Sequence, residues 1–209
     1  KISRAQLKAR ASFAALEDEL LSIAKDATLL KQTWDRIDSN GSGTLSLAEI
    51  DTWIVQKYPL LNHKPAIMRA YKQTCLKEGG DGDAYVDLAE FPMLLVNVFY
   101  FNKVFQLFDD LDSDGDHRLS IEEFAFGIER LQLALTERVV EKEFRAMDAN
   151  RRGFVLFDEF CVWYTKKVAP EREIVTSTSK FTTHTVRTKP KPKISRAQLK
   201  ARASFAALE

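Results

Sequence analysis

DSNGSGTLSLAE, Asp38 to Glu49, sets oxygen-bearing side chains at the first, third, fifth, ninth and twelfth of twelve positions, with Gly43 at the sixth. A Ca2+ ion takes about six to eight oxygens on a tight turn, and a loop of this length supplies them from those positions together with the seventh carbonyl. The sixth residue must tolerate positive φ, as glycine does. The spacing therefore assigns as ligands Asp38, Asn40, Ser42, the Thr44 carbonyl, Ser46 directly or through water, and bidentate Glu49. Leu45, at the eighth position, is expected to pair with a partner loop through a short β-bridge.

Three more stretches follow in the same register. DSDGDHRLSIEE, Asp112 to Glu123, offers Asp112, Asp114, Asp116, the Arg118 carbonyl, Ser120 and Glu123. Its ligand positions carry four carboxylates against two in the first loop, so it is expected to bind Ca2+ more tightly. His117 stands where glycine is preferred, at a strain of about 1 kcal/mol. GGDGDAYVDLAE, Gly79 to Glu90, keeps Asp81, Asp83, Asp87 and Glu90 but has Gly79 in the leading position and Ala84 at the sixth. It is read chiefly as the bridge partner of the first loop, and alternatively as a calcium site without its leading carboxylate. DANRRGFVLFDE, Asp148 to Glu159, keeps Asp148, Asn150, Gly153 and Glu159. It also puts a cation, Arg152, and an apolar group, Leu156, where oxygens are required, and is expected to be empty.

An acidic turn by itself says little, but four in succession with helical flanks do. Trp34, Phe108 and Phe144 each stand four places before a loop, and Phe91, Phe124 and Phe160 each follow a terminal Glu. Upstream, Phe13, Leu16, Leu20, Ile23, Ala27, Leu30, Trp34 and Ile37 alternate steps of three and four, which predicts one long helix over 1–37 leading into the first loop. Its heptad spacing allows packing on a partner, a neighbouring repeat or its own domain. The fold class is all-α, with two lobes of paired helix-loop-helix units over 13–100 and 101–167. The Thr-, Ser-, Val- and Pro-rich stretch at 168–192 reads as an extended linker.

The first 17 residues, KISRAQLKARASFAALE, return unchanged as Lys193 to Glu209. The repeat unit is then residues 1–192, with 193–209 the start of a further copy; a duplicated tag is the alternative. Between Ile174 and Leu208 lie eight Lys or Arg residues and no Asp or Glu. This basic strip suits an acidic surface, or else is a solvated spacer.

Composition narrows the function. The 31 basic and 30 acidic residues nearly cancel, which proposes no nucleic-acid or membrane partner. Cys75 and Cys161 are too few and too far apart for a disulfide framework or a zinc site of usual spacing. No apolar run approaches the roughly 20 residues a membrane span needs. His63, His117 and His184 are scattered, no phosphate-cradling loop or nucleophile motif appears, and seven of the eight glycines belong to the calcium loops. The chain is read as cytoplasmic and not an enzyme.

Residues 13–167 resemble the EF-hand (calmodulin) superfamily. Within them YVDLAEFPMLLVNVFYFNKVFQLFDDLD, Tyr85 to Asp112, is similar to the aromatic-rich helix joining hands two and three in the calflagins, the flagellar calcium-binding proteins of kinetoplastid protozoa. The resemblance implies a flagellar, ciliary or other cytoskeletal setting. The resemblance implies acylation at an N-terminal Gly, but the motif for it is not found in this sequence, so the anchor is not carried over. With only Met68, Met93 and Met147, the interior suits a fixed partner better than promiscuous capture. The expected role is a calcium-binding repeat module of a structural lattice, meeting neighbouring copies and an acidic filament surface such as a microtubule. The alternatives are a calcium sensor or buffer that captures a partner helix, and peripheral membrane association through the basic strip.

Overall fold

The computed structural model describes residues 4–76, 84–128 and 136–167. The leading part of the second loop, the linker at 168–192, the repeated start at 193–209 and with them the whole basic strip lie outside the described residues. The elements are helices α1 (Arg4–Lys25), α2 (Ala27–Ile37), α3 (Leu47–Lys57), α4 (Lys64–Leu76), α5 (Phe91–Leu111), α6 (Ile121–Gly127), α7 (Glu137–Met147) and α8 (Phe157–Lys167), with a 3-10 turn at Pro59–Leu61. Helices α2 and α3 flank the first loop, α4 and α5 the second, α5 and α6 the third, and α7 and α8 the fourth. Antiparallel bridges Leu45–Val86 and Leu119–Val155 join the loops in pairs. All four bridge residues are fully buried.

The long N-terminal helix expected from the heptad is two helices. Asp26 ends α1 and caps α2: its backbone is extended, at φ −98° and ψ 113°. Its carboxylate accepts from the amides of Thr28 and Leu29 at 2.8 and 3.0 Å. Aspartate offers the backbone this local alternative to the helix ladder, so a charge that reads as helix surface acts as a boundary. The break leaves Ala27 exposed and lets α1 lie along α5. Leu20 and Ile23 are buried there, and Phe13 and Leu16 pack against the core. The Phe13 ring sits 4.8 Å from that of Phe99. Of the partners open to this heptad, the chain's own domain takes it.

Helix α5 leaves the second loop and enters the third without interruption, across the boundary expected between residues 100 and 101. The lobes therefore share a helix of 21 residues, ~31 Å long. Residues 97–102 are buried in an unbroken run, as in a helix that is covered all round. Contrary to the expectation that no stretch is long and apolar enough to span a membrane, α5 is so by length and composition, with Asn97, Asn102 and Lys103 interrupting its apolar run. Its most apolar window is 67% buried within the protein, so it serves as the core helix. Its buried amides are satisfied: Asn97 donates to Thr74 Oγ1 at 3.0 Å. Asn102 donates to the Val98 carbonyl at 2.8 Å, and its Oδ1 lies 2.8 Å from His63 Nδ1.

The aromatic residues beside the loops meet across each lobe. Trp34 packs edge-on against Phe91 at 5.4 Å, Phe108 against Phe160 at 5.6 Å, and Phe124 lies 6.2 Å from Phe144. The residue entering one loop thus rests on the residue leaving its partner. Phe105 and Phe108 also meet Phe157. The fourth hand is thereby seated on the shared helix.

Candidate calcium sites

The third loop gathers charge most strongly. Oxygens of Asp112, Asp114 and Asp116 lie within 4.8 Å of one another. Asp112 is buried, and its two oxygens accept from the amides of Gly115 and His117 at 2.9 and 2.8 Å. Those bonds fold the turn, and His117 adopts φ +62°, the left-handed conformation expected at the sixth position. Asp114 accepts from the Asp116 amide at 3.1 Å and Asp116 from the Arg118 amide at 2.8 Å, so each ligand-position carboxylate is aimed by the backbone two residues on. Three carboxylates so close repel one another, and a hard cation is the natural counter-charge.

Glu123, at the twelfth position, stands on the first turn of α6. Its Oε1 accepts from the Ser113 amide and hydroxyl, both at 2.9 Å. Its Oε2 accepts from the Ser120 amide at 3.0 Å and hydroxyl at 2.9 Å. Ser120 in turn accepts from the Glu123 amide, completing a capping box that starts α6. Burial works against ionisation, but the Ser120 and Ser113 donors outweigh it and hold the Glu123 carboxyl at about 2. At neutral pH it is an anion available to a cation. Ser113 was not among the residues singled out from sequence; its place one residue into the loop gives no ligand signal.

The first loop has the same scaffold with less charge. Asp38 accepts from the amides of Ser42 and Gly43, both at 2.9 Å. Asn40 accepts from the Ser42 amide at 2.7 Å and donates to Glu49 Oε1 at 2.7 Å. Ser42 donates to the Thr44 carbonyl at 2.7 Å. Ser46 and Glu49 form the capping box of α3. All six expected ligand residues therefore sit on one turn, and Gly43 supplies φ +78°.

The fourth loop keeps the turn of the first and third but lacks two of their oxygens. In the fourth, Asp148 accepts from the amides of Arg152 and Gly153, both at 2.9 Å, and Asn150 donates to Glu159 at 2.8 Å. Leu156 has no hydroxyl, so only its amide reaches Glu159, at 3.0 Å. Arg151 adopts φ +58° at the fourth position, where the first and third loops have Gly41 and Gly115. In the second loop the residues from Ala84 onward are described, and Val86 makes the expected bridge to Leu45. Helix α5 starts only after Glu90, three residues later in register than α3, α6 and α8. Pro92 explains this, since it has no N–H to bond the Leu88 carbonyl.

The third and fourth loops are tied by a contact the spacing does not reveal. The Arg118 guanidinium lies 4.5 Å from the Phe154 ring centroid. Both cysteines are core residues, and burial pushes the Cys161 thiol up, which leaves it unreactive.

Residues 101–165 match the family model described as an EF-hand domain pair. Flagellar calcium-binding protein TB-44A of Trypanosoma brucei brucei is 30% identical over 149 residues, covering 66% of this chain and 36% of that protein. The flagellar calcium-binding protein of Trypanosoma cruzi is 24% identical over 142 residues, covering 63% of this chain and 67% of that one. The chain thus spans between a third and two thirds of the length of these relatives. The solved structure of a homologue of programmed cell death 6 protein from Leishmania major Friedlin superposes with a TM-score of 0.36 and 19% identity, covering 68% of this chain and 75% of that one.

Proposed function

We propose that this calcium-binding EF-hand chain, a homologue of the flagellar calcium-binding proteins of kinetoplastids, is a non-enzymatic module of a repetitive cytoskeletal protein that holds Ca2+ at its first and third loops. The convergence of Asp112, Asp114 and Asp116 carries the metal assignment. The ligands are those of the sequence reading: Asp38, Asn40, Ser42, the Thr44 carbonyl, Ser46 and Glu49, and Asp112, Asp114, Asp116, the Arg118 carbonyl, Ser120 and Glu123. In the fourth loop Arg152 and Leu156 replace two of those oxygens, so the loop acts as a brace for the third.

The repetition of 17 residues at a spacing of 192 supports a tandem array. Copies at a constant period match a partner that itself repeats, and linkage lets weakly binding copies hold tightly together. A filament with an acidic surface, the microtubule above all, suits the basic strip and the flagellar setting of the relatives. Co-sedimentation of a two-repeat chain with microtubules, in calcium and in chelator, tests the lattice role. Pelleting that survives physiological salt is expected; no pelleting in any condition would leave a free sensor or buffer.

A further inference from the structure

Helix α1 closes a triangle whose apex is the first calcium loop. The two sides, α2 and α3, have 11 residues each, ~16 Å from the loop to the far end. At the far end of α2 a single residue, Asp26, joins it to α1. At the far end of α3 stand Lys57 and Tyr58, and both hold Glu19 of α1. The Lys57 ammonium is 3.0 Å from Glu19 Oε1, and the Tyr58 hydroxyl donates to the same oxygen at 2.9 Å. Tyr58 is buried and fixed by Trp53, whose ring meets it edge-on at 5.2 Å. Leu20, the neighbour of Glu19, is 1% exposed, so the tie sits where α1 is most deeply docked.

Calcium ligation acts on the same triangle from its apex. Glu49 lies on the first turn of α3, and its carboxylate is held by Asn40 at 2.7 Å and by Ser46 at 2.7 and 2.9 Å. To ligate an ion with both oxygens it would exchange these partners for the metal, and in sensor hands the leaving helix follows its glutamate. In sensor hands the angle between entering and leaving helices changes by roughly 40° on binding. At the end of a ~16 Å arm that is a displacement on the order of 10 Å, which no hydrogen bond between α1 and the end of α3 survives.

We infer that Glu19, Lys57 and Tyr58 form a latch that opposes calcium at the first loop, so that binding there releases α1 and bares the α5 face around Phe99. This rests on the reading that the first loop holds calcium. Because linkage is reciprocal, whatever weakens the latch strengthens calcium binding. The third loop stands outside the triangle.

The test is Ca2+ titration of the full chain carrying Glu123→Gln, which leaves the first loop as the site observed. Glu19→Gln and Lys57→Gln are each expected to tighten that site by about three- to tenfold, the range of one partly exposed ion pair or hydrogen bond. The double variant should be no tighter than the stronger single one. In the otherwise unaltered chain, calcium should speed hydrogen exchange of amides 12–25, and Glu49→Gln should abolish the effect. Unchanged or weakened affinity in both latch variants, with calcium still taken up, overturns the latch alone. A Glu123→Gln chain that takes up no calcium overturns the first-loop assignment and the latch with it.

Discussion

Replacing Asp26 by alanine sets two structures against each other. The first keeps α1 docked and leaves α2 without a cap; losing bonds of 2.8 and 3.0 Å to two amides costs about 1 kcal/mol. The second fuses α1 and α2 into the continuous helix that the heptad describes, recovering ~0.6 kcal/mol of propensity from Asp to Ala. A straight fusion lifts Leu20 and Ile23, now 1% and 5% exposed, off α5. Burial of two such side chains is worth about 3–6 kcal/mol, so docking wins. Asp26→Ala should therefore lower stability by about 1 kcal/mol and the melting temperature by roughly 2–4 °C. Helix content should be unchanged in far-ultraviolet circular dichroism, and the amides of Leu20 and Ile23 should stay protected. A loss above ~3 kcal/mol with increased helicity would refute this ranking, because it would mean that the burial on α5 is too weak to hold the bend.

Arg152→Asp together with Leu156→Ser restores oxygens at the fifth and ninth positions of the fourth loop, and calorimetry should then count one more Ca2+ per chain. Phe154→Ala removes the ring 4.5 Å from the Arg118 guanidinium and frees a cation beside the third loop's carboxylates. Calcium affinity there should fall about two- to fivefold, and less at high salt. Glu143 accepts from Lys167 and from the Trp163 indole, both at 2.8 Å, and the Lys167 bond foremost holds its carboxyl below the usual range. A carboxyl depressed on folding stabilises above its unfolded pKa and loses that contribution as pH falls through the folded one. Glu143→Gln should therefore be less stable than the parent at pH 7 in denaturant titrations, with the difference closing below about pH 4.

The loops were legible because ligation fixes residue types at fixed intervals, and the apolar eighth position Leu45 announced a bridge to the second loop, which the structure makes through Val86 and repeats between Leu119 and Val155. His117 at positive φ was likewise readable from its place in the loop. What escaped the sequence was where one residue has two local options. Asp26 occupies a solvent position of a heptad and equally a cap, and only the docking surface on α5 decides between them. Pro92 delays α5 through a missing N–H, which spacing does not register. Arg151 takes a left-handed conformation at a position that the better-matched loops give to glycine. The orientation of Glu123 toward Ser113, and the stacking of Arg118 on Phe154, depend on contacts between segments and carry no periodic signal.

The most direct measurement is calorimetric Ca2+ titration of the full chain beside Glu49→Gln, Glu123→Gln and the double variant. Two ions per chain are predicted, the tighter lost with Glu123→Gln, the weaker with Glu49→Gln, and both in the double variant. Stoichiometry untouched by either substitution, or a tighter site that disappears with Glu49→Gln, would contradict the assignment of calcium to these loops or the order in which they fill.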